Sequence, residues 1–175
     1  PAKPISLHYV HSSATSDVIL HHVLKVDEGA NVTILESGAV AARCNMVIEA
    51  EIEKDAQLHH IRAQGRDHER RAVTHIFAHL EERSQFKSFT LTMNGVLTRN
   101  ETVVEMSGDD GVAHVAGASV GDGNFHHDDT VFITHDALRG ESRQVFKKVL
   151  RNGAAGVFQG KILVKPDAQK TDGYQ

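Results

Sequence analysis

Cysteine is almost absent from this sequence. Cys44 is the only one in 175 residues, so no disulfide can form within the chain and no cluster can be held by its own cysteines alone. A reducing compartment suits that composition, and a cytoplasmic location is expected. Tryptophan is missing and tyrosine occurs twice, which leaves little for the aromatic platforms on which bases or sugars stack. Positive charge is not in excess: 19 Lys and Arg face 23 Asp and Glu, for a net charge of −4. That excludes the basic footprint of a nucleic-acid-binding protein. No apolar run approaches the ~20 residues of a membrane-spanning helix, and no signal-peptide pattern opens the chain. No membrane partner is expected. The length suits one domain with a substantial core.

What the chain does have is a repeat. Leu24-Lys25-Val26-Asp27-Glu28-Gly29-Ala30-Asn31-Val32-Thr33-Ile34 carries an alternating apolar run into a polar turn and a second run out of it. Copies follow at Ala50 to His60 and at Ala78 to Phe86, with a looser one from Val104 to Ala113. With Gly29, Asp55, Arg83 and Asp110 as equivalent corners, the intervals are 26, 28 and 27 residues. Pro166-Asp167-Ala168-Gln169 makes a further corner about two periods on. Alternation at period two sends one set of side chains inward and the other outward. Stacking the copies aligns Leu24, Ala50, Ala78 and Val104 in one interior ladder. Val26, Ile52, Leu80 and Met106 form a second, and Val32, Leu58, Phe86 and Ala113 a third. No copy can bury its apolar side alone, which is the logic of a parallel β-helix with 26–28 residues per repeat. An antiparallel sandwich or jelly roll also has period-two strands but requires no constant interval.

The repeat register assigns the ambiguous stretches Arg70–Leu80 and Arg143–Leu150 to strands. Residues 1–16 look like a polar lead-in, Arg62 to Glu69 like a charged loop around Gly65, Asn94-Gly95 like a hairpin or turn, and Lys161–Lys165 like the final strand.

Histidine is abundant, at 13 residues, but adjacent pairs such as His21-His22 and His59-His60 point to opposite faces of a strand. His75 and His79 have the spacing of a zinc-binding helix, yet Ile76 stands where its glutamate belongs. The densest ionisable cluster is His126-His127-Asp128-Asp129, which makes His126, His127 and Asp128 weak metal candidates. There His126 shares a face with Asp128, and His127 shares the other with Asp129. Asp128 and Asp129 raise the alternative of a β-helix carbohydrate-active enzyme, which needs two carboxylates flanking a glycosidic bond. A cupin-like metal barrel lacks its HxH and glutamate. Cys44 fits core filler, and the glycines at 108, 111, 117, 121 and 123 fit neither a P-loop nor a dinucleotide fingerprint.

Near the C-terminus three stretches stand together: Ser142-Arg143-Gln144-Val145-Phe146-Lys147-Lys148-Val149-Leu150, Gly156-Val157-Phe158-Gln159-Gly160-Lys161-Ile162, and Ala168-Gln169-Lys170-Thr171-Asp172-Gly173-Tyr174-Gln175. With His127-Asp128-Asp129-Thr130, a shortened form of an H-x-D-x-x-T pattern, they resemble the SufB/SufD family. The resemblance implies a right-handed parallel β-helix and a non-catalytic scaffold subunit in iron–sulfur cluster assembly, with SufB-like and SufC-like (ATPase) partners. It places an iron–sulfur cluster in the full complex and no cofactor on this chain alone. The SufB branch uses core cysteine chemistry, so a single Cys44 points to the SufD branch. The family core runs on past this motif, so residues 1–175 are expected to be one β-helix core domain, an excerpt lacking terminal helical segments. That leaves an edge at Ile162, Val164 and Lys165 as a candidate interface, including for a homodimer.

Overall fold

The computed structural model describes residues 3–10, 13, 15–38, 42–65 and 69–174. The period-two runs form thirteen strands: β1 (Ile5–Tyr9), β2 (Asp17–Val26), β3 (Asn31–Gly38), β4 (Arg43–Ile52), β5 (Gln57–Gln64), β6 (Arg71–Leu80), β7 (Gln85–Met93), β8 (Leu97–Met106), β9 (Val112–Asp122), β10 (His126–His135), β11 (Glu141–Arg151), β12 (Ala155–Val164) and β13 (Asp172–Tyr174). Odd-numbered strands build one sheet and even-numbered strands the other, so the chain alternates between two walls. Every pairing is parallel. There is no helix among the described residues. The fold is therefore the expected parallel β-solenoid. Side-chain bonds between equivalent positions on successive coils span 26 residues at Asn31–Gln57, 28 at Asp55–Arg83 and 29 at Asp110–Arg139.

All three interior ladders form in the expected register. Leu24 pairs with Ala50, Ala50 with Ala78 and Ala78 with Val104, and the row continues through Ile133 to Ile162. These rows make one apolar core beside the corners that follow the even-numbered strands.

Those corners share one backbone device. Gly29, Asp55, Arg83, Asp110, Arg139 and Lys170 occupy equivalent positions, two before each odd-numbered strand from β3 onward, and all have positive φ between 55° and 70°. Glycine adopts that conformation without strain, whereas the others need compensation. From Asp55 to Arg139 the corner residues alternate in charge up the stack. Arg83 grips the Asp55 carboxylate at 2.6 and 2.7 Å, and Arg139 grips Asp110 at 2.7 and 2.8 Å. These pairs are exposed, so each contributes modestly; their consequence is to tie the register of one coil to the next.

Several expectations are corrected. The lead-in contains β1, which pairs with β3 because its own period-two residues extend the wall. Arg62 and Gln64 lie in β5 and point inward, not in a loop; residues 66–68 are outside the described set. A corner at Arg139 fills the gap between Asp110 and the 166–169 turn. Of the two alternatives at Asn94-Gly95 the turn is the one that forms, carrying the chain to the other wall with φ of 58° and 112°. Lys161–Lys165 is not the final strand, since β12 spans Ala155–Val164 and β13 follows it.

Candidate functional site: a polar seam inside the solenoid

The two walls enclose two kinds of interior. Beside the Gly29-type corners the inward residues are mostly apolar, with buried His135 and Ser142 2.8 Å apart in the later coils as a small polar pair. Toward the opposite edge they are polar, because the inward positions of β3, β5 and β7 include Glu36, His60, Arg62, Gln64, Ser88 and Thr92, all buried. Across from them β6, β8 and β10 present Thr74, Asn100, His127 and Asp129, also buried.

These side chains bond to one another across successive coils. Glu36 Oε2 accepts from Arg62 Nε at 2.9 Å and sits 2.7 Å from His60 Nε2. His60 Nδ1 lies 3.0 Å from Ser88 Oγ. Arg62 Nη1 donates to Thr74 Oγ1 at 2.9 Å, and Thr74 donates to Asn100 Oδ1 at 2.8 Å. Gln64 Nε2 donates to both Thr92 and Asn100. Asn100 Nδ2 donates to Asp129 Oδ1 at 3.1 Å, and His127 Nε2 lies 3.0 Å from the same oxygen. Lys148 Nζ closes the far end, 2.9 Å from Asp129 Oδ2 and 2.6 Å from the Val157 carbonyl. The result is one seam running from β3 to β11.

Electrostatics lock it. Burial by itself would push the Glu36 carboxyl up, but the His60 bond and the Arg62 guanidinium outweigh it and bring it to about 2. Asp129 likewise goes down, since His127 and Lys148 outweigh its burial. Burial drives the His60 imidazole below its ordinary 6.5 even against the pull of Glu36. His60 is therefore neutral near pH 7, donating from Nε2 to Glu36 and accepting at Nδ1 from Ser88. The positive partner of Glu36 is Arg62.

Acid lability follows, with its sign set by these directions. A buried neutral His60 contributes stability that is complete above 6.5 and is lost as pH falls below it, because the unfolded chain takes the proton first. Burial lowers His135 in the same direction. Glu36 adds a second loss from about 4.5 down toward 2. The melting temperature should fall between pH 7 and 5.5, before most carboxylates titrate, and His60→Gln should flatten that limb. A melting temperature constant over that range would contradict the assignment.

At its β3 end the seam borders a cavity of about 20 Å³, lined by Tyr9, Glu36, Cys44, Met46, Arg62 and Thr74 among others, room for roughly one water. Cys44 is 6% exposed and burial raises its thiol, so it is protonated and poorly nucleophilic. Burial, then the Glu36 charge, raises the Tyr9 phenol. Dithionitrobenzoate should label Cys44 only when the protein is unfolded; rapid labelling of the native chain would show an opening that this packing does not provide.

The sequence candidates are distributed differently from what a metal or glycosidase site needs. His126 and Asp128 face outward, while His127 and Asp129 join the seam. Asp128 lies 3.9 Å from Arg99. Asp128 and Asp129 point to opposite faces of one strand, so they cannot flank a single glycosidic bond. Among the described residues no three His, Cys, Asp or Glu side chains converge as a metal ion requires, and Cys44 offers one buried thiol, so the donor set does not fit an iron–sulfur cluster. Ile162 and Val164 point inward on β12, the outermost strand of its sheet, and Lys165 Nζ is 2.5 Å from Asp136 on the preceding coil. The seam's members were legible only in part. Extending the interior ladders by even steps reaches Met46, Thr74, Asn100 and Asp129 as one row, and Glu36 with Arg62 as another.

A family model described as the SufBD core domain of SUF-system FeS cluster assembly matches residues 9–175. The chain belongs to this family. It is also 25% identical over 189 aligned residues to the iron-sulfur cluster assembly protein SufD of Escherichia coli (strain K12), covering 99% of this chain and 43% of that protein. The chain thus spans less than half the length of that relative. The SufBD match starts at the last residue of β1 and takes in every later strand, so the family resemblance and the solenoid are the same object.

Proposed function

We propose that this chain is the core of a SufD-like, non-catalytic scaffold subunit in iron–sulfur cluster assembly. It acts in the cytoplasm with SufB-like and SufC-like (ATPase) partners, and the cluster is cargo ligated elsewhere in the complex. The observation that carries this reading is the SufBD core match over residues 9–175, which coincides with the solenoid. The seam supports it: its polar groups bond to one another and serve as a rigid interior, and its one neighbouring thiol is buried.

The test is complementation. The full-length protein, introduced with matching SufB-like and SufC-like subunits into cells lacking SufD, should restore the activities of iron–sulfur enzymes, and Cys44→Ser should restore them equally. Failure of both proteins, with normal folding and expression, would refute the reading. Anaerobic reconstitution of the purified chain followed by desalting should leave no stoichiometric iron and sulfide, and the chain alone should not hydrolyse ATP.

The edge at Ile162, Val164 and Lys165 is part of the same proposal. Among the described residues β12 pairs on one side alone, beside alternating apolar side chains and with Val164 49% exposed, a template for strand addition by a second copy. Light scattering across a roughly hundredfold dilution should show a monomer–dimer equilibrium. A monomer throughout, unchanged by Ile162→Lys, would remove the homodimer.

A further inference from the structure

The outward face of the odd-numbered sheet is unusually apolar for a surface that meets water. A parallel sheet normally has both faces covered. Here β9 places the small side chains Ala116 and Ala118 between two taller neighbours. On one side are Phe89 and Leu91 of β7, and on the other Val145 and Lys147 of β11, in direct register. Phe89 is 41% exposed, Val145 38% and Val149 64%. The two walls are two strand spacings apart, about 10 Å, so the floor and walls form a shallow trough that runs along β9.

Charge marks one end and one side of it. Lys87, His114 and Arg143 lie side by side across the mouth of the trough, and Lys147 stands on its wall. His114 is paired with Glu141, and Arg143 lies over the Tyr174 ring. Lys87 and Lys147 are exposed and have no ion-pair partner among the described residues.

We infer that this trough docks an amphipathic helix of a partner protein, with its apolar stripe on Ala116 and Ala118 and acidic side chains toward Lys87 and Lys147. A helix laid along β9 has the small Ala116 and Ala118 beneath its axis and the taller side chains of β7 and β11 along its flanks. A single extended segment lying on the face of the sheet would leave its own backbone groups unpaired, whereas a helix brings its own hydrogen bonds. The basic flank selects acidic residues by complementarity and disfavours a basic helix. The inference is independent of the polar seam and of the β12 edge.

The test uses the full-length protein carrying Ala118→Cys, with Val23→Cys on the opposite wall as the control thiol. The probe is a helical peptide with a Leu/Ala stripe and glutamates on its flanks, compared with its lysine isomer. The acidic peptide should slow maleimide labelling at position 118 at least tenfold and leave position 23 unchanged. The lysine isomer should do neither, and Lys87→Glu with Lys147→Glu should reverse the preference. Equal protection by both peptides, or by neither, would overturn the inference. So would a thiol already shielded in the protein alone, because the chain itself would then cover the trough. Shielding that rises with protein concentration would assign it to a second copy, and shielding by anionic but not neutral phospholipid vesicles to a membrane. Either result would also overturn the inference.

Discussion

Ile52→Asp should abolish the native fold at ordinary temperatures. Ile52 is 1% exposed and stands in an interior row with Val26, Leu80 and Met106. Around it lie Ala50, Ala56 and Leu58 of the same apolar core, and none of them can accept or donate a hydrogen bond through its side chain. A carboxylate there would lose its hydration with no cation or donor to replace water. The expected loss exceeds about 4 kcal/mol, within the range that only mechanisms such as buried unpaired charge reach. Glu51→Gln, one residue earlier and facing out, should stay within about 0.5 kcal/mol. Urea denaturation of the two variants checks the contrast. Comparable small losses would mean that position 52 does not face the core.

Glu36→Gln should be the second large effect, at roughly 3–5 kcal/mol. Among the described residues its carboxylate is the only counter-charge that Arg62 contacts, with Glu36 3% and Arg62 3% exposed. Removing that charge leaves a buried guanidinium facing neutral groups alone: the introduced amide, Thr74 and the Met46 sulfur. Neutral His60 cannot take over the pairing. The double variant Glu36→Gln with Arg62→Met should recover most of the loss, because an apolar side chain of similar length leaves no uncompensated charge. If the double variant is as unstable as the single one, the seam's stability lies in its hydrogen bonds and not in this charge pair. The same experiment bears on specificity: a seam that fixes coil register should make the double variant more prone to slipped pairing, seen as broader amide resonances.

The repeat was legible because corner chemistry and strand alternation recur together. Asp55, Arg83 and Asp110 are polar residues at fixed distances from apolar pairs, and that combination located three apolar ladders to the residue. Arg139 was harder, since Leu138-Arg139-Gly140 resembles many loops and only the neighbouring coil shows its Asp110 partner. Arg62 was misplaced for a related reason. A charged residue near Gly65 suggests solvent until Glu36, an inward position 26 residues earlier, is seen to supply its counter-charge. His127 and Asp129 were grouped correctly by strand parity. Parity could not say that their face was the interior.

The sequence by itself determined the strand alternation, the period, the corners and the apolar ladders, because each depends on local side-chain spacing repeated at a constant interval. The C-terminal motifs in it also carried the family. Tertiary structure alone decided which polar residues share the interior and which small residues floor a trough on the outside. Both depend on contacts between residues on different coils and on opposite walls. Such contacts are set by the stacking of coils and the separation of the two sheets, and neither quantity is written in the spacing of residues along one strand.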